Sequence, residues 1–321
     1  MVAGGPHASA DSENVLRDNL VNIVVRCEGE LVVPELFYAL EHEGNLSHIK
    51  GIAYLDKTGN YVQTENADYM KDLDGLPQIP YDLFNVRRYR GQIHGHPSVN
   101  IQSSRGCPYK CVFCYRGPSS GQKVRFKSVQ NVFHEICMLY DKYGFRAFNF
   151  HDDIFTLRRS RILELCEMII TSDREIYWTC ETRVDYLDYE LLSYMKKAGC
   201  VQIQVGVESG SQQIIDNLQK NITKEQAKEA FANCQRLHIL TEAYFMFGTP
   251  WDTAETIRET IEFAKELKST NSIFFAATPY PGTRLREIFI ENGMNVPKDH
   301  REYVNMYGIV GFVRRFAKRT I

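Results

Sequence analysis

The sequence predicts an α/β chain: a partial barrel of six parallel strand and helix units, preceded by part of a second parallel sheet. Three observations predict it. From Ser98 onward, short apolar runs alternate with amphipathic stretches, the pattern of parallel strands joined by crossover helices. Pro77 and Pro80 in "LDGLPQIPYDLF" interrupt any regular element and set a front unit apart from that alternation. The front unit itself reads strand, helix, strand over "MVAGGPH", "SENVLRDN" and "NIVVRCEGE". At 321 residues the chain is long enough for both parts to bury a core.

Residues 1–80 form the front unit, which closes with "GIAYLDKTGNYVQTE", a hairpin turning at Thr58 to Asn60. Residues 81–97 are a linker, and 98–295 are the barrel, with strands beginning near Val99, Phe145, Ile176, Val201, Leu240 and Ser272. Between the first two strands, Val129, Val132, Phe133, Ile136, Leu139 and Tyr140 recur at helical spacing from a Ser128 cap to Gly144. "TKEQAKEAFANC" opens on a capping box, Thr223 to Gln226, and "DTAETIRETIEFAKEL" sets Ile257, Ile261, Ala264 and Leu267 on one face. Residues 296–321, with the basic end "FVRRFAKRTI", read as the start of a truncated C-terminal extension. Barrels of this kind work at the carboxyl ends of their strands, so the site is expected in the loops just after them.

Composition narrows the chemistry. A formal charge of -2 and a pI near 6.5 leave no basic excess for a nucleic-acid backbone, so no nucleic-acid partner is expected. The first twenty residues lack the basic, apolar and cleavage regions of a signal peptide, and no apolar run approaches membrane-spanning length. A cytoplasmic protein without membrane insertion is expected. Nine cysteines, a clustered trio and six singles, do not form a secreted disulfide framework; in a reducing compartment they favour metal or redox chemistry.

The trio lies in "RGCPYKCVFCYRG": Cys107, Cys111 and Cys114, in the loop after the first barrel strand. Thiolate sulfur is a soft ligand that selects zinc, copper(I) or iron–sulfur clusters. One reading is a zinc site completed by His94 or His96 just upstream. Another is a four-iron cluster with three irons held by cysteine and the last open to a small molecule. An electron carrier of the ferredoxin type would need a fourth cysteine near the trio, and the nearest is Cys137.

The spacing C-x3-C-x2-C, with the aromatic Phe113 ahead of Cys114, resembles the radical S-adenosylmethionine superfamily. The resemblance implies a 4Fe-4S cluster on Cys107, Cys111 and Cys114, with Phe113 beside the cofactor and S-adenosylmethionine chelating the open iron. An electron from an external donor such as flavodoxin or ferredoxin cleaves S-adenosylmethionine, and the 5'-deoxyadenosyl radical abstracts hydrogen from a small-molecule or peptide substrate. "FNFHDDIFT" resembles the segment that meets the methionine amino group, which makes Asp152 and Asp153 candidates, with a helix cap as the alternative. In "VQIQVGVESGS", Glu208 and Ser209 correspond to positions near the ribose or methionine part of the cofactor. "FMFGTPWDTAET" and "ATPYPGTRL" resemble turns bordering the adenine, with Gly248, Pro250, Pro281 and Gly282 shaping them. Arg183 in "ETRVD" offers a guanidinium fork to a cofactor carboxylate or, alternatively, to Asp185. No catalytic side chain is assigned.

"VAGGPHAS" followed by "VNIVVRCEGE" resembles the second half of the Rossmann-like cobalamin-binding domain found ahead of the barrel in the cobalamin-dependent branch of the superfamily. Gly4, Gly5 and His7 carry over as cofactor-binding residues, followed by Arg26, Glu28 and Gly29; glycine permits close approach of the cofactor. The first half of that domain, with any D-x-H-x-x-G loop, has no counterpart here. The chain by itself is therefore expected to hold cobalamin weakly, although its parent enzyme needs it. The function implied is methylation of an unactivated carbon, with a ring-forming or oxidative cyclase of the same branch as the alternative. An iron–sulfur electron carrier and a zinc-stabilised binding module are the readings from other classes.

Overall fold

The structure is a computed structural model that describes residues 1–115 and 120–298. Most of the extension expected at 296–321 lies outside the described residues. The chain divides into two compact units. Of the described residues, the first holds Met1–Lys71, Gly106–Arg125 and those from Thr278 to Lys298; the second holds Asp72–Arg105 and Phe126–Ala277. The division thus falls at Lys71 rather than near residue 80, and the cysteine loop groups with the front of the chain. The reason is where its contacts go: Leu285 donates to the Val112 carbonyl at 2.8 Å, and Arg125 is paired with Glu28.

In the first unit, β1 (Val2–Ala3) pairs in parallel with β2 (Ile23–Val25), which pairs antiparallel with β3 (Ile52–Leu55) and through it with β4 (Tyr61–Gln63). The crossover between β1 and β2 is two short helices, α1 (Pro6–Ala10) and α2 (Ser12–Arg17). The hairpin turns where the sequence places it, because the Asp56 carboxylate accepts from the Thr58 and Asn60 amides at 2.8 and 2.9 Å. Helix α3 (Val32–Glu41) was not among the expected elements. Its opening on Val32, Val33 and Pro34 argues against helix locally, although proline is tolerated in a first turn. Burial decides: Val32 and Leu36 pack with Ile23, Val25, Ile49 and Ile52.

The second unit is built on a seven-stranded sheet. Its strands are β5 (Gln92–Ile93), β6 (His96–Ile101), β9 (Ala147–Phe150), β10 (Tyr177–Thr182), β11 (Cys200–Glu208), β12 (Leu240–Phe247) and β13 (Asn271–Ala276), with the two-residue strands β7 (Ser104–Arg105) and β8 (Arg125–Phe126) before and after the cysteine loop in the chain. From β6 to β13 every neighbouring pair in this sheet is parallel, and spatial order follows chain order. That single direction of winding is what a partial barrel of six units requires. Only β5, from the expected linker, runs antiparallel, against β6.

The crossovers carry α4 (Val129–Tyr143), α5 (Arg159–Ile170), α6 (Tyr189–Lys197), α7 (Gln212–Asn217), α8 (Lys224–Arg236) and α9 (Ala254–Leu267). Helix α4 starts on the Ser128 cap and stops at Gly144 in the left-handed region, and α8 opens on the Thr223 and Gln226 capping box. One face of the sheet is apolar: Phe148, Phe150, Trp178, Cys180, Ile203, Val205 and Phe245 are buried in the main core with the helices. The alternate positions are polar and half-buried, with Glu181, Gln204 and Glu242 in one row across β10, β11 and β12. A parallel sheet covered on both faces reads as continuous apolar runs; the alternation here leaves one face for polar work.

The exit of β6, which leads into the cysteine loop, is fixed by a buried polar knot. Asp152, 1% exposed, accepts from the Ser103 amide and hydroxyl at 3.1 Å each and from the Ser104 hydroxyl. Arg161 completes it, donating at 3.1 Å to the Ser103 hydroxyl and at 3.1 Å to the Ser103 carbonyl. Burial pushes the Asp152 carboxyl up to about 6, against the pull of Ser104, Arg161 and Ser103. Its folded-state pKa stands above the unfolded value, so between about pH 4 and pH 6 the folded chain holds the extra proton and stability falls as pH rises through that window. The expected size is about 3 kcal/mol. Chemical denaturation at about pH 4 and about pH 7 should show Asp152→Asn losing this part of the slope; parallel pH profiles for the two proteins would contradict it.

Candidate functional site

The cysteine loop is shaped by backbone contacts. Cys107, Cys111 and Cys114 are half-buried and in no disulfide, with half-buried Phe113 between the last two. Gly106, at φ 98°, opens the loop where a Cβ would stand 2.7 Å from the Lys123 carbonyl oxygen and 2.9 Å from that of Gly121. The Cys107 amide donates to the Gly121 carbonyl at 3.1 Å, and the Cys114 amide to the Cys111 carbonyl at 3.1 Å. The first bond closes the loop on its return arm; the second makes the turn that spaces the last two thiols. Beyond them the loop rests on the start of α10 (Arg284–Glu291), through the Val112 and Leu285 bond. Tyr115 lies against Gly282, where a Cβ would come within 2.5 Å of its ring. Gly282, read from the sequence as a turn former, also makes room for that ring.

The return arm ends at Arg125, which no pattern in "KVRFK" singles out. Its guanidinium is a bidentate partner of Glu28, at 2.8 Å for each nitrogen, and also donates to the Met70 carbonyl at 2.7 Å and to the Ser120 carbonyl. Glu28, a cobalamin candidate by resemblance, therefore spends its carboxylate on the cysteine loop. The other front-unit candidates follow the ends of two adjacent parallel strands, where such sheets bind ligands. Gly5 sits at φ 94° ahead of α1, and a Cβ on Gly4 would stand 3.3 Å from the Val25 carbonyl oxygen. His7 and Gly4 are exposed, and the Cys27 amide donates to the Ser9 hydroxyl at 2.8 Å. Arg26 is buried and donates to the Thr64 carbonyl at 2.7 Å; its Nε is the one buried side-chain nitrogen or oxygen without a partner among the described residues.

In the second unit the strand-end candidates are held by partners that the sequence did not point to. Glu208 ends β11 at φ 70°, a left-handed conformation uncommon for a residue with a side chain, and its carboxylate accepts from Lys220 at 2.7 Å. Both are nearly buried, and Gly206 clears the space: a Cβ there would lie 2.3 Å from the carboxylate and 2.7 Å from the ammonium. Ser209 is buried against Thr260, hydroxyl to hydroxyl at 2.9 Å. Arg183 takes the alternative the sequence offered: it pairs with Asp185 at 2.9 Å and donates to the Lys220 carbonyl at 2.8 Å, linking the ends of β10 and β11. Asp152 is committed to Ser103 and Ser104, while Asp153 beside it is half-buried. Gly248 and Thr249 are tied into a turn by the Asp252 carboxylate, which accepts from both amides at 2.8 Å.

The donor set on the cysteine loop suits an iron–sulfur cluster: three thiols on one loop, none in a disulfide, on a backbone fixed by glycine contacts. Among the described residues no three His, Cys, Asp or Glu side chains converge to hold one metal ion. A four-iron cluster asks for a different arrangement, with each thiolate on its own iron. The imidazoles that a zinc site would enlist both lie against Tyr177, His94 tilted at a centroid distance of 4.6 Å and His96 stacked at 5.1 Å. Among the described residues no helix is long and apolar enough to cross a membrane.

Residues 101–264 match the Radical SAM superfamily. An uncharacterized methyltransferase of Pyrococcus horikoshii is 33% identical over 307 residues, 95% of this chain and 66% of the relative. The anaerobic magnesium-protoporphyrin IX monomethyl ester cyclase of Cereibacter sphaeroides is 30% identical over 292 residues, 88% of this chain and 47% of the enzyme. The chain thus spans about half to two thirds of the length of these curated relatives. Among solved structures, the radical S-adenosylmethionine methyltransferase TsrM from Kitasatospora setae, with cobalamin and a 4Fe-4S cluster bound, superimposes with a TM-score of 0.77 at 19% identity, over 92% of this chain and 61% of that one. The match runs from the last residue of β6 into α9 and takes in the whole cysteine loop: this chain belongs to the Radical SAM superfamily.

Proposed function

We propose that this chain is the core of a cobalamin-dependent radical S-adenosylmethionine enzyme that methylates an unactivated carbon of a small-molecule or peptide substrate. The observation that carries the proposal is the cysteine loop: Cys107, Cys111 and Cys114 are half-buried, in no disulfide, on a backbone held at Gly121, Leu285 and Glu28. When bound, the cluster and S-adenosylmethionine supply a hydrogen-abstracting 5'-deoxyadenosyl radical, and cobalamin supplies the methyl group. The chain's own residues bind and orient. The three thiolates hold the cluster. Glu208, fixed in direction by Lys220, presents a carboxylate at the end of β11 to a hydroxyl or ammonium of the cosubstrate. The glycine turn at Gly4 and Gly5 would give cobalamin an approach free of side chains. An external donor of the flavodoxin or ferredoxin class supplies the electron. A second reading, an oxidative ring-forming reaction, is favoured by the cyclase relative at 30% identity.

Anaerobic reconstitution with iron and sulfide is the first test, and it should yield a brown protein with about four irons per chain. Alanine at Cys107, Cys111 or Cys114 should abolish the cluster, whereas Cys137→Ala should keep it. Full iron in the Cys111→Ala protein would sink the assignment.

Reduced, reconstituted protein should release 5'-deoxyadenosine and methionine from S-adenosylmethionine. Glu208→Ala should weaken cosubstrate binding by about tenfold, about 1.4 kcal/mol, with iron content unchanged. Unchanged affinity in that variant would remove Glu208 from the site.

Titration with hydroxocobalamin, followed through its visible spectrum, tests the front loop. Gly5→Val forces a branched side chain into the left-handed region and should reduce uptake relative to the parent chain. Equal uptake by both would take the cobalamin role away from this turn.

A further inference from the structure

We infer that Glu28 and Arg125 are positioning residues for the cysteine-held cluster, a role that rests on the cluster reading above. Their side chains are 9% and 8% exposed and meet as a two-point fork. Three further bonds of that fork lead back to the loop or its support. Arg125 donates to the Ser120 carbonyl on the return arm and to the Met70 carbonyl, while the Met70 amide donates to Glu28 at 2.8 Å. The guanidinium lies 5.1 Å from the centroid of the Tyr69 ring, and the same ring covers Gly121, where a Cβ would come within 3.2 Å of it. Gly121 in turn accepts the Cys107 amide at 3.1 Å. An unbroken line of contacts therefore runs from the residues after β2, through Arg125 and the Ser120 to Gly121 arm, to the first cluster ligand.

The pair does something that an apolar pair of similar volume would not. Burying two charges costs desolvation, and replacing both by well-packed apolar side chains is often neutral for stability. Directional bonds from a planar fork, in contrast, fix where the Ser120 carbonyl stands, which neither an apolar contact nor a lysine ammonium reproduces. The second grip on the loop, at Val112 and Tyr115, lies on the far side of Cys111 in sequence, so Cys107 depends on the Arg125 grip.

The full chain and two variants, Arg125→Lys and the double Glu28→Met with Arg125→Met, test the inference. In iron-free protein, amide exchange at Cys107 should be at least about tenfold faster in both variants, with the amides of β9 to β12 protected as in the parent. After reconstitution, the electron paramagnetic resonance change that S-adenosylmethionine causes in the parent should be lost or altered, and 5'-deoxyadenosine release should fall about tenfold. Parental exchange at Cys107, or a parental spectral response, in either variant overturns the inference. Loss of sheet protection together with loop protection also overturns it, because the pair would then be holding the fold. A parent chain that takes up no cluster defeats the proposed function instead, and the iron-free exchange still decides whether the pair holds the loop.

Discussion

Two opposite charges, each nearly out of reach of water, meet at Glu28 and Arg125, and the shape of the cysteine loop hangs from them. Such a pair is stable only when fully satisfied, since removing one partner typically costs about 3–5 kcal/mol. Arg125 gives the remaining donors of its two terminal nitrogens to the Met70 and Ser120 carbonyls, and Glu28 accepts the Met70 amide. The same crowding acts on Tyr69, whose phenol burial pushes up to about 12, helped by Cys27 and Glu28, so it stays neutral under the cation. The cation and its ring form one block against which Gly121 closes.

The strand ends of the second unit follow the same rule, with polar groups placed after strands and each locked by a partner from elsewhere in the chain. Asp152 after β9 is locked by serines at the exit of β6 and by Arg161 of α5. Glu208 at the end of β11 is locked by Lys220, whose carbonyl also receives Arg183 from the end of β10. Locking keeps side chains at fixed angles without a ligand, the preorganisation that a site handling a reactive species needs. Four other thiols, Cys166, Cys180, Cys200 and Cys234, are set apart from the trio by burial. Cys166 and Cys234 are pushed up to about 12 and Cys180 well above the ordinary thiol range, which keeps them protonated and inert in the core.

The six parallel strands were legible because each is an apolar run followed by an amphipathic helix, and that periodicity is local. The caps at Ser128 and Thr223 were legible for the same reason: a cap is a contact across three residues. Helix α3 was not, since its first residues favour strand and only Ile23, Val25 and Ile52, distant in sequence, turn them into a helix face. Arg125, Lys220 and Arg161 went unnoticed because a lone cation in a polar stretch carries no periodic signal, and their partners lie 97, 12 and 58 residues away.

The sequence by itself determined the chemistry: three cysteines at fixed spacing with Phe113 among them, an α/β alternation that puts them after a strand, and a glycine turn at Gly4 and Gly5. Donor type and spacing are properties of a short stretch of chain, so no folding is needed to read them. Only the tertiary structure decided which donor each carboxylate meets. Asp152, Glu28, Asp185 and Glu208 look equally available in sequence, yet each is buried or half-buried against a donor that folding brings to it. A buried charge must find its counterpart, and which counterpart is nearest is set by the packing of elements far apart in the chain.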